Sequence, residues 1–508
     1  MLPRHTHRLL SFMSVCMLTC MALGQTAKPR KPTAPSLNQP SKQSAPKDQA
    51  PTPPPPPLPS NPGPVEFGDE PLRIESIGLT MPLPVGSVSQ IDSAGNIVGG
   101  KIAAKDQRWI IRIASPKGTE SMTPAQIGDS ALELLLESYG ITDKDANVLG
   151  TRGRLISREP PEGSPPILIS GKPADRWYVK LPPLEGRNDL MRGFTVIQAA
   201  PGQFLTFELL TTEPEFERSR GIYQTTIAAA TIADPRVLAE SRVGAITAGL
   251  RLFENLGTDA VKEIVAANPE RWERLYRPSP TGSAQDEVEV AYRRTRLSIG
   301  NRTALGSGGT SGSDRQEGFV VEIDARLLDG SNIIDSRSVY FMSFDREEEA
   351  WVLTNALRTA GSASKPPVFR ETGGRIGKSM TVRVDGTGTP ATTTKPSVRD
   401  EGYLNQVEAV ILPRLLIRHG VTAEFGFYAY QSSANTIRLR RDTLDHPPER
   451  PEQWRVTTRL TEDSRPIRSF FDSSGRHLRT EMPEGTFWEP TDLKELARLW
   501  KSKGLPMD

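Results

Sequence analysis

Past residue 24 the chain carries three histidines, His419, His446 and His477, and no two sit at a metal-ligand spacing, so a local motif such as H-E-x-x-H is absent. Both cysteines, Cys16 and Cys20, fall in an apolar N-terminal run. Once that run is removed, a disulfide, a Cys-ligated zinc site, an iron–sulfur cluster and a cysteine nucleophile are all excluded. Gly377-Lys378-Ser379 has the ending of a phosphate loop, but the leading glycine belongs at 372, where Thr372 stands. Residues 380–384 moreover read as a strand, whereas that motif needs a helix to aim its N-terminus at phosphate. Ser362-Ala-Ser-Lys365 fits the S-x-x-K spacing of serine acyl enzymes, yet Pro366 and Pro367 stop the helix that would align Ser and Lys. Glu347-Glu-Glu349 reads as a solvated turn or helix start. No nucleophile elbow occurs, and a dispersed Ser-His-Asp or carboxylate-pair site stays open because such sites are spatial constellations.

What must position any such groups is a long chain: 508 residues, 36% hydrophobic and 24% charged, enough for two or three domains. Residues 1–24 read as a secretory signal, with Arg4 and Arg8 before an apolar core and Ala22-Leu23-Gly24 as the cleavage site. From Gln25 to Pro64 there are 14 prolines in 40 residues and no aromatic side chain, a composition that cannot bury enough surface to fold. The reading is a disordered Pro-rich linker over 25–66. Without the signal, Lys+Arg balance Asp+Glu at 61 each, and without residues 25–64 as well they stand at 56 against 60. The folded body therefore lacks the electrostatic basis for general nucleic-acid binding.

Residues 67–257 read as a first domain. Residues 108–114 alternate, with Trp109, Ile111 and Ile113 on one face. Thr123-Pro124-Ala125-Gln126 is a capping box with proline at the first helical position, Leu132, Leu135, Leu136 and Tyr139 form the stripe, and Gly140 closes the helix. Two β-rich runs flank Ala200-Pro201-Gly202 as a hairpin, and a helix follows over 237–256. This order, with "IESIGLTMPLP" at 74–84, "RWIIRI" and "GFTVIQAAPGQFLTFELL", resembles the PsbP-like family of small α+β modules. The resemblance implies an extracytoplasmic accessory role in binding and names no residue.

Residues 258–508 read as a β-rich second domain, opened by a helix over 260–276. Strand-like runs at 287–297, 318–327, 338–344 and 381–384 are separated by low-complexity loops at 306–312, 361–367 and 386–395. A helix over 407–419, interrupted by Pro413, precedes a meander with one apolar face and one basic face, the latter carrying Arg438, Arg440, Arg455 and Arg459. A helix over 491–503 ends the chain. The hairpin "FFDSSGRHLRTEMPEG" is similar to those of half-barrel proteins related to lipoprotein-localisation carriers. That similarity implies acyl-chain binding in the concave face. Phe425, Phe427, Tyr428 and Tyr430 are the named candidates for a ligand pocket wall, against the alternative that they pack a core. The Arg face either meets anionic head groups or glycans or is simply solvated.

The expected fold class is therefore α+β: two antiparallel-sheet modules with packed helices behind a disordered tether. The expected function is a non-catalytic, exported binding or scaffold protein of the cell envelope, periplasmic or extracellular, with no cofactor, no metal, no nucleic acid and no integral membrane span. Its expected partner is an envelope polymer, lipid or protein. The alternatives are an envelope-acting hydrolase with a dispersed site and a lipid carrier.

Overall fold

The computed structural model describes residues 64–94, 97–139, 154–161, 163–181, 190–283, 286–306, 316–359, 365–399 and 401–507. The signal segment, the linker up to residue 63, Gly140 and Ser362 lie outside them. The chain divides into two units between Ala233 and Asp234, ahead of the boundary expected at 257/258.

In the first unit β1 (Leu72–Ile74), β2 (Leu79–Met81) and β11 (Thr231–Ile232) form a small sheet. The main sheet has eight strands: β3 (Ser87–Ala94), β4 (Ile97–Ala104), β5 (Trp109–Ala114), β10 (Gln203–Thr212), β9 (Leu190–Ala200), β8 (Lys172–Leu181) and β6 (Arg154–Glu159) in that order, with β7 (Ile167–Ile169) also on β8. Alternation in β8 loads both faces. Tyr178 points to the side of helix α2 (Phe216–Ala228), while Trp177 and Val179 join Leu136 of helix α1 (Pro124–Ser138). Helix α1 starts as read: Thr123 Oγ1 accepts from Gln126 N at 3.3 Å and Thr123 N donates back to Gln126 Oε1 at 2.9 Å. The β9/β10 hairpin also forms, with Gly202 at φ +71° in its turn.

The second unit opens with helices α3 (Pro235–Asn255) and α4 (Thr258–Ala267). A 15-stranded sheet follows, whose strands are β12 (Glu270–Arg277), β13 (Val288–Asn301), β14 (Glu317–Asp329), β15 (Asn332–Ser343), β16 (Glu348–Thr359), β17 (Val368–Ile376), β18 (Ser379–Gly386), β19 (Thr389–Thr394), β20 (Tyr403–Leu404), β21 (Ala423–Gln431), β22 (Thr436–Asp445), β23 (Trp454–Arg459), β24 (Ile467–Phe471), β25 (His477–Glu481) and β26 (Phe487–Thr491). Spatially it runs from β19 back to β12, then across to β26 and back to β20, so β12 pairs with both β13 and β26. Helix α5 (Gln406–His419) lies inside the curl. Its Val407, Ile411 and Leu415 pack on side chains from β13 to β18, and its Leu412 and Leu416 on side chains from β21 to β24. Helix α6 (Leu493–Ser502) ends the unit, with Leu496 and Trp500 buried. Helix α3 belongs here because it crosses β21 at two glycines: a Cβ on Gly249 would stand 2.5 Å from the Gly426 carbonyl.

Strand outweighs helix, 48% to 24%, so the chain is mostly β and the α+β expectation is corrected. Three readings account for much of the difference. The helix expected over 260–276 stops at Ala267, because Pro269 follows and Arg271, Glu273 and Leu275 alternate with Trp272, Arg274 and Tyr276 as a strand requires. The expected loop at 386–395 contains the edge strand β19, whose side chains are largely exposed and so show no apolar alternation. Glu348 and Glu349 are not a solvated turn but open β16, with Glu349 only 2% exposed.

Candidate functional site

Inside the curl, β12, β13 and β22 to β26 meet helix α5 around a cavity of ≈ 80 Å³. About 10–15 Å³ of such space holds a water, so the cavity takes a handful of non-hydrogen atoms. Its character is set by cross-strand pairs. Register places Arg271 opposite Thr295 and Glu273 opposite Arg293, and all four face inward. Arg293 Nε donates to Glu273 Oε2 at 2.7 Å and Arg271 Nε to the same oxygen at 3.3 Å. Burial would raise Glu273, but the Arg293 and Arg271 guanidiniums override it and hold the carboxyl well below its usual range. Arg293 also lies over the Trp488 ring, 4.3 Å from its centroid.

From β25 come His477 and Thr480, three residues apart, which a regular strand would send to opposite faces. An irregularity beside Phe470/Phe471, where Phe470 pairs with Arg479 and Phe471 with His477, skips one residue and brings both to the cavity. His477 Nδ1 lies 3.1 Å from Glu273 Oε1, its Nε2 2.8 Å from Thr480 Oγ1, and that hydroxyl 2.8 Å from Ser469 Oγ. Burial lowers the His477 pKa against the pull of Glu273, so the ring is neutral at neutral pH.

Opposite stands α5. Pro413 has no N–H to give the Ala409 carbonyl one turn earlier, and both residues line the cavity with Arg414. Arg414 has no ion-pair partner among the described residues, and its buried Nε has no hydrogen-bond acceptor. Burial, and then the neighbouring Arg271 charge, pull its pKa down to about 9. Arg440 differs: it is held bidentate by Asp442 at 2.7 and 2.9 Å, and Thr458 donates to Asp442 at 2.6 Å. The Arg440 and Asp442 charges cancel. Arg271, Arg293 and Arg414 against Glu273 leave two positive charges in excess around a cavity edged by the hydroxyls of Thr295, Thr480 and Ser469. The Thr295 hydroxyl is buried with no partner.

The sequence candidates fall elsewhere. Phe425 and Phe427 are buried in the core with Leu412 and Leu416, Tyr430 stacks near Trp351 with ring centroids 5.3 Å apart, and Tyr428 meets Arg399. None of the four lines this cavity. The expected basic face is not a solvated stripe, since Arg440 is 3% exposed and turned inward, and Arg455 is tied to Asp445. The helix expected over 260–276 hides Arg271 and Glu273, whose spacing of two is the signal for a strand, and Arg293 lies in the strand-like run at 287–297, whose pairing with β12 that helix also hides. Among the described residues no group of three or more His, Cys, Asp or Glu is placed to hold a metal ion. Nor is any described helix long and apolar enough to cross a membrane.

No family model matches the chain, and no curated protein matches it. Among solved structures it is similar to a β-barrel-like protein of a domain of unknown function, DUF1849, from Brucella abortus, at 10% identity and a TM-score of 0.28 over 44% of this chain and 95% of that one. Such a score is too low to assign a shared fold.

Proposed function

We propose that the chain is an exported envelope binding protein whose second unit receives an anionic group in the arginine-lined cavity. The observation that supports it is the uncompensated charge: Arg271, Arg293 and Arg414 surround one carboxylate, Glu273, in a site largely screened from water. Charges buried this way are costly unless paired. An anion entering the cavity supplies the missing partner, and Arg271, with 24% of its side chain exposed, marks the side that water reaches. The size of the space argues against the acyl-carrier reading, because pockets for whole lipid-sized ligands run to about 300–1,000 Å³.

The test is thermal denaturation of the full chain with acetate, sulfate or phosphate against chloride at constant ionic strength. A saturable rise in Tm that Arg271→Gln removes is the expected result; identical curves in every salt would refute anion binding.

The chain of hydroxyl, imidazole and carboxylate through Thr480, His477 and Glu273 supports a second reading, hydrolysis, since it has the order of a nucleophile, a base and an orienting acid. Both Thr480 and His477 are buried and Thr480 is also bonded to Ser469, which suits a structural network better. Covalent labelling of Thr480 by a fluorophosphonate would reverse that preference.

A further inference from the structure

Resting on the anion-binding reading, we infer that the group the cavity takes is a phosphate monoester dianion, held by Arg271, Arg293 and Arg414. The argument is one of charge count, donor geometry and size. Two positive charges stand in excess, so a carboxylate monoanion leaves one uncompensated, whereas a dianion neutralises the site. Each of the three guanidiniums is a planar fork of donors that matches phosphate oxygens, and Arg293 and Arg271 spend their Nε donors on Glu273, at 2.7 and 3.3 Å. Arg414 reaches the cavity from the opposite wall with no carboxylate to hold. Tetrahedral acceptors are met from several sides by such an arrangement. The Thr295 hydroxyl, buried and unpartnered, adds a neutral donor from the sheet. Pro413 fits the same picture, because the bond it denies the Ala409 carbonyl falls at the turn of α5 that presents Arg414. The cavity of ≈ 80 Å³ suits the head of such a molecule and leaves its ester substituent toward the Arg271 side.

The dianion requirement has a pH signature that belongs to the ligand. A phosphate monoester takes its second charge with a pKa of about 6. The groups facing the site are Arg271, Arg293, Arg414, Arg440, Glu273, Asp442 and His477. Of these Glu273, held well below its usual range by Arg293 and Arg271, stays ionised from pH 5 to 7, and burial shifts His477 down from its ordinary value, toward the neutral ring. Affinity for methyl phosphate should therefore rise roughly tenfold from pH 5 to 7, following the dianion fraction, while that for sulfate, a dianion throughout, stays level.

The experiment is calorimetric titration of the full chain with methyl phosphate, sulfate and acetate at pH 5, 6 and 7, repeated on Arg414→Gln. Expected are methyl phosphate binding that strengthens with pH, level sulfate binding, weak acetate binding, and a loss of at least tenfold for both dianions in the variant. Acetate binding as tightly as methyl phosphate would overturn the dianion inference while leaving the anion receptor standing; no binding of any anion would overturn both. Because Arg414 has no ion-pair contact to lose among the described residues, the variant should fold, and a melting temperature without ligand that is unchanged or raised checks that. Flotation with vesicles containing phosphatidic acid separates the sources. Binding to them that Arg414→Gln abolishes identifies a lipid head group, and methyl phosphate binding without vesicle binding identifies a soluble or polymer-borne phosphate.

Discussion

Two arginines of the cavity make opposite demands on the fold. Arg440 and Asp442 are both sealed from solvent, and their bidentate contact with Thr458 alongside satisfies each. Removing one member leaves the other charged and unpaired, a loss of about 3–5 kcal/mol. Asp442→Ala should lower the unfolding free energy of the second unit by that amount, read from its urea midpoint and slope. Arg414 is the reverse case, a cation with no ion-pair contact among the described residues and in a site of excess positive charge, so Arg414→Gln should leave ligand-free stability unchanged or raise it. Equal destabilisation by the two substitutions would mean that Arg414 has a structural partner, and the charge excess on which the binding reading depends would vanish. The phenyl and phenol side chains singled out from the sequence occupy a different role. Phe425 and Phe427 are 1% and 0% exposed, so their truncation tests packing and leaves the cavity untouched.

Among elements, the junction of β16 and β17 with β21 is held by a carboxyl. Glu371, 1% exposed, accepts from Trp351 Nε1 at 2.7 Å, from Tyr430 at 3.4 Å and from Ser432, with no cation among these partners. Burial pushes its pKa up against those hydrogen bonds. In the window from its ordinary value of 4.5 up to the raised folded value, the native state binds more protons than the unfolded chain, so this group's contribution to stability falls as pH rises. Glu371→Gln should therefore gain on the parent chain as pH increases from 4 to 7, read as the difference in Tm. A difference that does not change with pH would show that Glu371 titrates alike in both states. Beside it Trp351 lies flat across Gly373, where an added Cβ would overlap the ring. These elements also show where sequence reading succeeds and stops. Helices α1, α5 and α6 were legible because caps and apolar runs are local: Thr123 with Gln126, the apolar run over 407–419, Leu496 with Trp500. The β9/β10 turn was legible for the same reason. The strand β12 was not, since its alternation of Arg271, Glu273 and Leu275 follows a helix with only Asn268 and Pro269 between them. The cavity was hidden further, because the irregularity that turns His477 and Thr480 to one side is set by the partner strand β24.

At the largest scale, one pairing joins the beginning and the end of the second unit. Trp272 to Tyr276 of β12 pair with Thr491 to Phe487 of β26, and that ladder links two halves of the sheet whose other strands are antiparallel neighbours in sequence, apart from the parallel β20/β21 pair joined through α5. No local signal announces it, because the partners are more than 200 residues apart, and such contacts cost loop-closure entropy before they stabilise anything. The same ladder supports the cavity: it aligns β12, the source of Arg271 and Glu273, with Trp488, over which Arg293 sits. Ending the chain at residue 486 removes β26 and α6, exposes ladder groups on β12 and β25, and takes Trp488 and Trp500 from the core. Calorimetry of that truncated chain should show the second unit's unfolding transition lost while the transition of the first unit, which has its own core around Ile111, Phe207 and Tyr223, persists. Retention of both transitions would show that the halves of the sheet fold without each other. In that event the cavity, which draws on β12 and β13 from one half and β22 to β26 from the other, would have to be assembled by helix α5 rather than by the ladder.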